Sequence, residues 1–313
     1  MIIDAILPIF ILILFGYFLE KISIVRDSFW VGTEQLTYYV FFPALLISKM
    51  SVTELSGINL TSIILVSLIS LFTITAINYL TRKLFNISNF SFGAFYQGTI
   101  RFNTYIGLAL VGSLFDENGL ATAIIIAAVL IPAVNICSVT VLQIHQEKKP
   151  GHTKKTLAEN ISINLYNLIK NPLILGCVIG MLMNYFSVQL PKPLFESINI
   201  LGSLALPLGL MTVGAALVLR NINQVLLPIS LSSLFKLILL PFLGFTLAKL
   251  FGLEILTTQI LVIFLALPTA TASYILTKNM QGDHQLMARL ITLQTLFSGL
   301  TLIILLNLLD GLS

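Results

Sequence analysis

The chain has 313 residues, of which 57% are hydrophobic and 10% charged, with a mean hydropathy of +0.98. A soluble domain carries about a quarter charged residues, so 17 basic and 13 acidic side chains cannot coat a water-soluble particle of this size. The net charge of +4 is spread over loops and forms no nucleic-acid patch. The composition is that of an all-α polytopic membrane protein.

A spanning helix needs about 20 apolar residues. Ten such stretches are expected, at 2–19, 33–48, 60–80, 92–114, 121–143, 168–186, 194–219, 225–248, 256–276 and 285–309. The first lacks a basic n-region and a small-residue cleavage site, so it reads as a mature span. Cys137 and Cys177 lie in apolar spans without metal-ligand spacing and read as packing residues. The longest connection, 145–164, contains Lys148, Lys149, Lys154 and Lys155 and reads as a linker between a first repeat (1–144) and a second (165–313).

Charge sets orientation. Lys21, Arg26, Arg82, Lys83, the four linker lysines, Arg220 and Lys278 follow the odd-numbered spans, against Lys49, Lys192 and Lys249 on the other side. The linker is thus expected in the cytoplasm and both termini outside. Sliding the chain by 164 residues places Pro8 on Pro172, Pro43 on Pro207 and the loop 116–119 on 281–284. Five spans per copy reverse the second copy in the membrane, which predicts a 5+5 inverted repeat with its site near the midplane, where discontinuous helices meet.

Polar or helix-breaking sequence in paired spans is the pointer to such a site. The fourth span reads Tyr96-Gln97-Gly98-Thr99-Ile100-Arg101-Phe102-Asn103-Thr104-Tyr105 and puts Gln97, Arg101, Asn103, Thr104 and Tyr105 at mid-depth. The ninth contains Pro268, which has no N–H and crowds the preceding turn, so an opening is expected near 264–267. Thr269, Thr271 and Ser273 are placed to reclaim the freed backbone groups. Half-helices starting near Asn103 and Thr271 are expected to offer unpaired N–H groups and a positive dipole end to an anion. Arg at a helix centre costs roughly 2.5–3.5 kcal/mol on insertion scales, so Arg101 argues for a cavity or an anionic ligand. Lys236, the other mid-span cation, suits either anion attraction or bonding to carbonyls, and Asn135, after Pro132, either the cavity or a packing bond. Asp4, Glu20, Glu34, Glu196, Glu254 and Asp310 all read as lying near span ends. Positive and neutral polar groups without an intramembrane acid favour a small organic anion over a cation.

Four motifs, in order along the chain, resemble the auxin efflux carrier family: Phe42-Pro43-Ala44-Leu45-Leu46; Arg101-Phe102-Asn103-Thr104-Tyr105-Ile106-Gly107; Pro207-Leu208-Gly209-Leu210-Met211-Thr212-Val213-Gly214-Ala215-Ala216-Leu217; and Ala266-Leu267-Pro268. The resemblance implies a fold like that of NhaA and the sodium/bile acid symporters. It implies a scaffold of spans 1, 2, 6 and 7, a transport domain of spans 3–5 and 8–10, and broken spans 4 and 9 crossing at the site. A homodimer and an elevator-type movement follow from the same likeness. Asn103 and Thr104 match the family's crossover of span 4, and Pro268 that of span 9. Many relatives have Gly-Leu-Pro after the first break, where this chain has Gly107-Leu108-Ala109, and the long cytoplasmic loop of many plant exporters is missing.

The resulting expectation is a carrier in the cell membrane that exports or exchanges a carboxylate, without a cofactor or a nucleic-acid partner. Proton- or sodium-coupled uptake, or a non-transporting sensor on the same fold, are the alternatives. No acidic metal motif, zinc pattern or Ser–His pair at depth supports an intramembrane enzyme, since His145 and His152 fall in the linker and His284 in a loop.

Overall fold

The computed structural model describes residues 2–53, 59–145, 170–218 and 226–310, and among these all regular structure is helical. In chain order the helices are α1 (Ile2–Lys21), α2 (Asp27–Leu36), α3 (Phe42–Met50), α4 (Leu60–Leu84), α5 (Asn89–Ile100), α6 (Thr104–Leu114) and α7 (Glu117–His145). There follow α8 (Pro172–Tyr185), α9 (Lys192–Ser203), α10 (Ala205–Ala215), α11 (Leu226–Leu234), α12 (Leu240–Leu250), α13 (Ile255–Ala266), α14 (Ala272–Asn279) and α15 (His284–Asp310). Six helical runs are long and apolar enough to cross a membrane: Ile2–Lys21, Leu60–Leu84, Glu117–His145, Lys192–Ala215, Leu226–Leu250 and His284–Leu309.

Helix starts follow local chemistry. Asn59 accepts from the N–H of Ser62, Ser88 from that of Ser91, and Asn171 from that of Leu173, each satisfying an orphan donor of the first turn. Two π-helical turns, Thr37–Phe41 and Phe235–Leu239, join α2 to α3 and α11 to α12. Each is followed within two residues by a proline, Pro43 or Pro241, whose missing N–H and ring bulk widen the preceding turn. The second span begins at Asp27, six residues before the expected 33, because Asp27 at the positive end of the helix dipole carries the helix into polar sequence. Glu34 therefore sits two turns inside the helical run 27–50 instead of at its start. His145 is the buried last residue of α7, not a linker residue. The linker lysines and Arg220 lie outside the described residues.

The chain packs as two compact units. The first comprises Met1–Ile58, Thr104–Ala128 and Tyr166–Ala216. Here α1 lies along α10 at backbone contact: a Cβ on Gly16 would meet the Met211 carbonyl, and one on Gly214 the Ile13 carbonyl. Helix α3 packs on α8 and α9. Lys49 grips both carboxylate oxygens of Glu117 at 2.8 and 3.1 Å, and Asn184 donates to the carbonyls of Ser51 and Thr53.

The second unit comprises Asn59–Asn103, Val129–Leu165 and Leu217–Ser313. Phe92, Phe95, Tyr96 and Phe264 fill its interior. Buried polar pairs brace it: the Tyr96 hydroxyl with Thr75 at 2.8 Å, and the Asn78 amide donating to Thr99 at 2.7 Å. At one end Arg82 bonds His145 at 2.6 Å and also Asn89, while its guanidinium lies 5.1 Å from the Phe92 ring. Since arginine only donates, His145 Nε2 accepts and its Nδ1 donates to the Val141 carbonyl.

Candidate functional site

Two helices of the second unit are interrupted. α5 stops at Ile100, where Arg101 turns extended (φ −76°, ψ 157°), and helix resumes only at Thr104. α13 stops at Ala266, where Leu267 is likewise extended (φ −63°, ψ 147°), and helix resumes at Ala272. The second opening spans 267–271, slightly later than expected. The restriction that proline imposes on its predecessor acts on Leu267 itself, while the turn before it stays helical. The Asn103 N–H donates to the Pro268 carbonyl at 2.8 Å, so the two interruptions touch main chain to main chain.

No proline explains the first interruption. Its stability comes from side chains that take over the Gly98 carbonyl and add a second bond to the Gln97 carbonyl, which also accepts from the Arg101 N–H at 3.0 Å. The Gln294 amide of α15 donates to the Gly98 carbonyl at 2.9 Å, and the Thr269 hydroxyl to the Gln97 carbonyl at 3.3 Å. The same Gln294 accepts from the Thr269 N–H at 3.0 Å, so one side chain fastens both interruptions. A Cβ on Gly98 would strike the Ser232 hydroxyl and Leu290, which is why this turn carries glycine.

Around this crossing the buried side chains form a continuous polar ladder. Gln97 donates to Thr277 at 2.7 Å, Thr277 to the Ser273 carbonyl at 2.7 Å, and the Ser273 hydroxyl lies 3.4 Å from that of Thr269. Gln97, Thr269, Ser273 and Thr277 are all fully buried, so Gln97 serves the network and not an open wall. Of the main-chain donors after Pro268, Thr269, Ser273 and Tyr274 already have acceptors. The N–H groups of Ala270 and Thr271 have none among the described residues, so the half-helix start is less open than the sequence suggested.

Three polar residues of other character complete the picture. Arg101 is half-buried and Asn103 buried. Lys236, on the π turn between α11 and α12, is fully buried. Its ammonium lies 5.9 Å from the Phe102 ring and makes no hydrogen bond with a described residue. Of the carboxylates on the described backbone of this unit, Glu254 and Asp283 sit immediately before helix starts and Asp310 ends α15.

Thr104 and Tyr105 open α6 and belong to the first unit, where the Tyr105 ring lies 4.8 Å from that of Phe42 and against Gly209. Asn135 is half-buried in α7 and forms no hydrogen bond with another described residue. Gln294, Thr277 and Ser232 were not among the residues singled out from sequence. The Gln294-Thr295 pair in the middle of the tenth span was the available signal.

A family model described as membrane transport protein matches residues 1–306. The chain is 24% identical over 306 residues to an uncharacterized transporter of Methanocaldococcus jannaschii, a stretch covering 96% of each chain.

Proposed function

The chain belongs to the membrane transport protein family, the family of the auxin efflux carriers, and is a multi-pass membrane transporter; from that premise we propose that its cargo is a small organic anion. The observation that carries this reading is the contact of two helix interruptions in a unit whose buried charge is cationic. Arg101 attracts the carboxylate; Asn103, Thr271 and the N–H groups of Ala270 and Thr271, which no described residue accepts from, bind it. Helix starts favour anions through their dipole and open donors. Thr269, Ser273 and Gln97 hold the crossing in shape. Lys236 adds positive charge, and Asn135 is the remaining candidate to line the path.

In this reading the ten spans form a 5+5 inverted repeat, with the scaffold in spans 1, 2, 6 and 7, and the carrier works as a homodimer by elevator-type alternating access. The linker faces the cytoplasm and the termini lie outside. Export needs no coupling ion: with the interior negative, moving one negative charge outward yields roughly 2.3 kcal/mol per 100 mV.

Liposomes containing the purified protein test the reading. Export of a carboxylate is expected to accelerate under an interior-negative potential, and Arg101→Ala to lower it at least about tenfold, the scale of one lost charged contact of about 1.5–3 kcal/mol. Export indifferent to potential, or intact in Arg101→Ala, contradicts it.

A further inference from the structure

Lys236 is the most constrained charge in the described structure. It is fully buried and makes no hydrogen bond with a described residue. Its ammonium points over Phe102, the middle residue of the first interruption, and Phe102 in turn packs against Phe264 of α13 at 5.6 Å. The helices packed on its π turn are α5, α11, α12, α13 and α15. None carries an acid except α15, whose Asp310 is its terminal residue. π turns inside helices occur frequently at functional sites, and here the widened turn swings a lysine to the crossing. Polarisable ring faces offer a cation a weak partner, far short of a carboxylate.

A desolvated cation with no counter-charge is expensive to carry through a low-dielectric region, and an anion beside it removes most of that cost. Every other described lysine and arginine of this unit, Arg82, Arg101 and Arg289 included, is at least partly exposed. Lys236 alone therefore depends on the bound carboxylate for its counter-charge, and occupancy of the site makes the two legs of a transport cycle unequal. With a carboxylate bound, the pair crosses as a neutral couple. With the site empty, the ammonium crosses alone.

We propose that Lys236 makes the return of the empty site the slow, voltage-sensitive step, so that this carrier exchanges one anion for another much faster than it releases anion on a net basis. The inference rests on the anion-carrier reading above and adds its kinetic mode. The sign is consistent with export: an interior-negative potential pulls the empty, positively charged site back inward.

The test uses the full-length protein in liposomes with radiolabelled pyruvate, malonate and indole-3-acetate in turn. Counterflow, with unlabelled anion on the far side, is expected to exceed net efflux by on the order of 50-fold, the rate penalty of one uncompensated buried charge. An interior-negative potassium-diffusion potential speeds net efflux of the singly charged probes roughly fivefold and leaves their counterflow unchanged. Lys236→Met, similar in length but neutral, brings the two rates within about twofold, whereas Lys236→Arg keeps them apart. Net efflux as fast as counterflow in the unaltered protein overturns the proposal, and so does a Lys236→Met protein that keeps the wide gap. If Lys236→Met does not fold, the unaltered protein's rate ratio and voltage response decide alone. Flux of none of the probes in either mode overturns the anion reading itself, which is a different failure from equal rates.

Discussion

Gln294 shows how much a single side chain in a span can hold together. Its carbonyl oxygen accepts from the Thr269 N–H and its amide donates to the Gly98 carbonyl, so it closes the loose backbone of both interruptions at once. Replacing it by leucine leaves two buried main-chain groups without partners, each worth about 1–3 kcal/mol. Gln294→Leu is expected to lower the thermal unfolding midpoint in detergent by roughly 5 °C or more. Gln294→Glu, which keeps the acceptor for Thr269 and loses the donor to Gly98, should fall between. An unchanged midpoint in Gln294→Leu would mean that the interruptions are held by something else. The sequence showed Arg101, Asn103 and Pro268 because a charge or a proline in an apolar span is locally exceptional. It did not show Gln294, Thr277 or Ser232, because what makes these residues matter is a partner 25 to 196 residues away. A glutamine in an apolar span announces that it needs a partner without saying which.

The helices carry a second lesson, about what replaces sequence signals when they are missing. Pro268 makes the ninth-span opening readable, whereas α5 ends without any breaker because side chains from elsewhere satisfy its last carbonyls. The two π turns are not legible in the sequence although Pro43 and Pro241 follow them, since a proline marks a weakened turn without fixing how the backbone resolves it. The close pairing of α1 and α10 is different again, since it depends on absent atoms. Helices in lipid gain little from apolar burial and associate by close packing at small residues. Gly16 and Gly214 let each helix rest on the other's carbonyls. A side chain at Gly214 has only backbone to push against, and backbone cannot turn aside as a flexible side chain can. Gly214→Leu should therefore cost at least the 1–3 kcal/mol typical of overpacking and part the two helices. The expected readout is loss of the monodisperse peak in size-exclusion chromatography. Gly32→Leu, where an added Cβ meets nothing, serves as the control and should retain it.

At the scale of the whole chain, the order of helices in 2–145 recurs in 172–310. Lys21 and Tyr185 end α1 and α8, Met50 and Ala215 end the second and seventh helical runs, and Leu84 and Leu250 the third and eighth, at offsets of 164, 165 and 166 residues. The backbone repeats too: after α1 the chain turns on Ser23 with φ 53°, and after α8 on Ser187 with φ 51°, again 164 residues apart. A left-handed serine is uncommon, so its recurrence at the same offset as the helix ends is hard to attribute to chance. In the proposed reading these features mark two copies of one five-span unit, whose odd number of spans between equivalent points would set their relation to the membrane. Two equivalent turns five spans apart must face opposite sides. Both serines are exposed, which makes the point measurable. In a protein with Cys137 and Cys177 replaced by alanine, Ser23→Cys should react with a membrane-impermeant maleimide only from the cytoplasmic side, and Ser187→Cys only from outside. Reaction of both from one side would abolish the inverted repeat. Reaction from the two sides in the reverse sense would keep the repeat and turn the molecule over, placing the linker outside against the excess of lysine and arginine that argues for the cytoplasm.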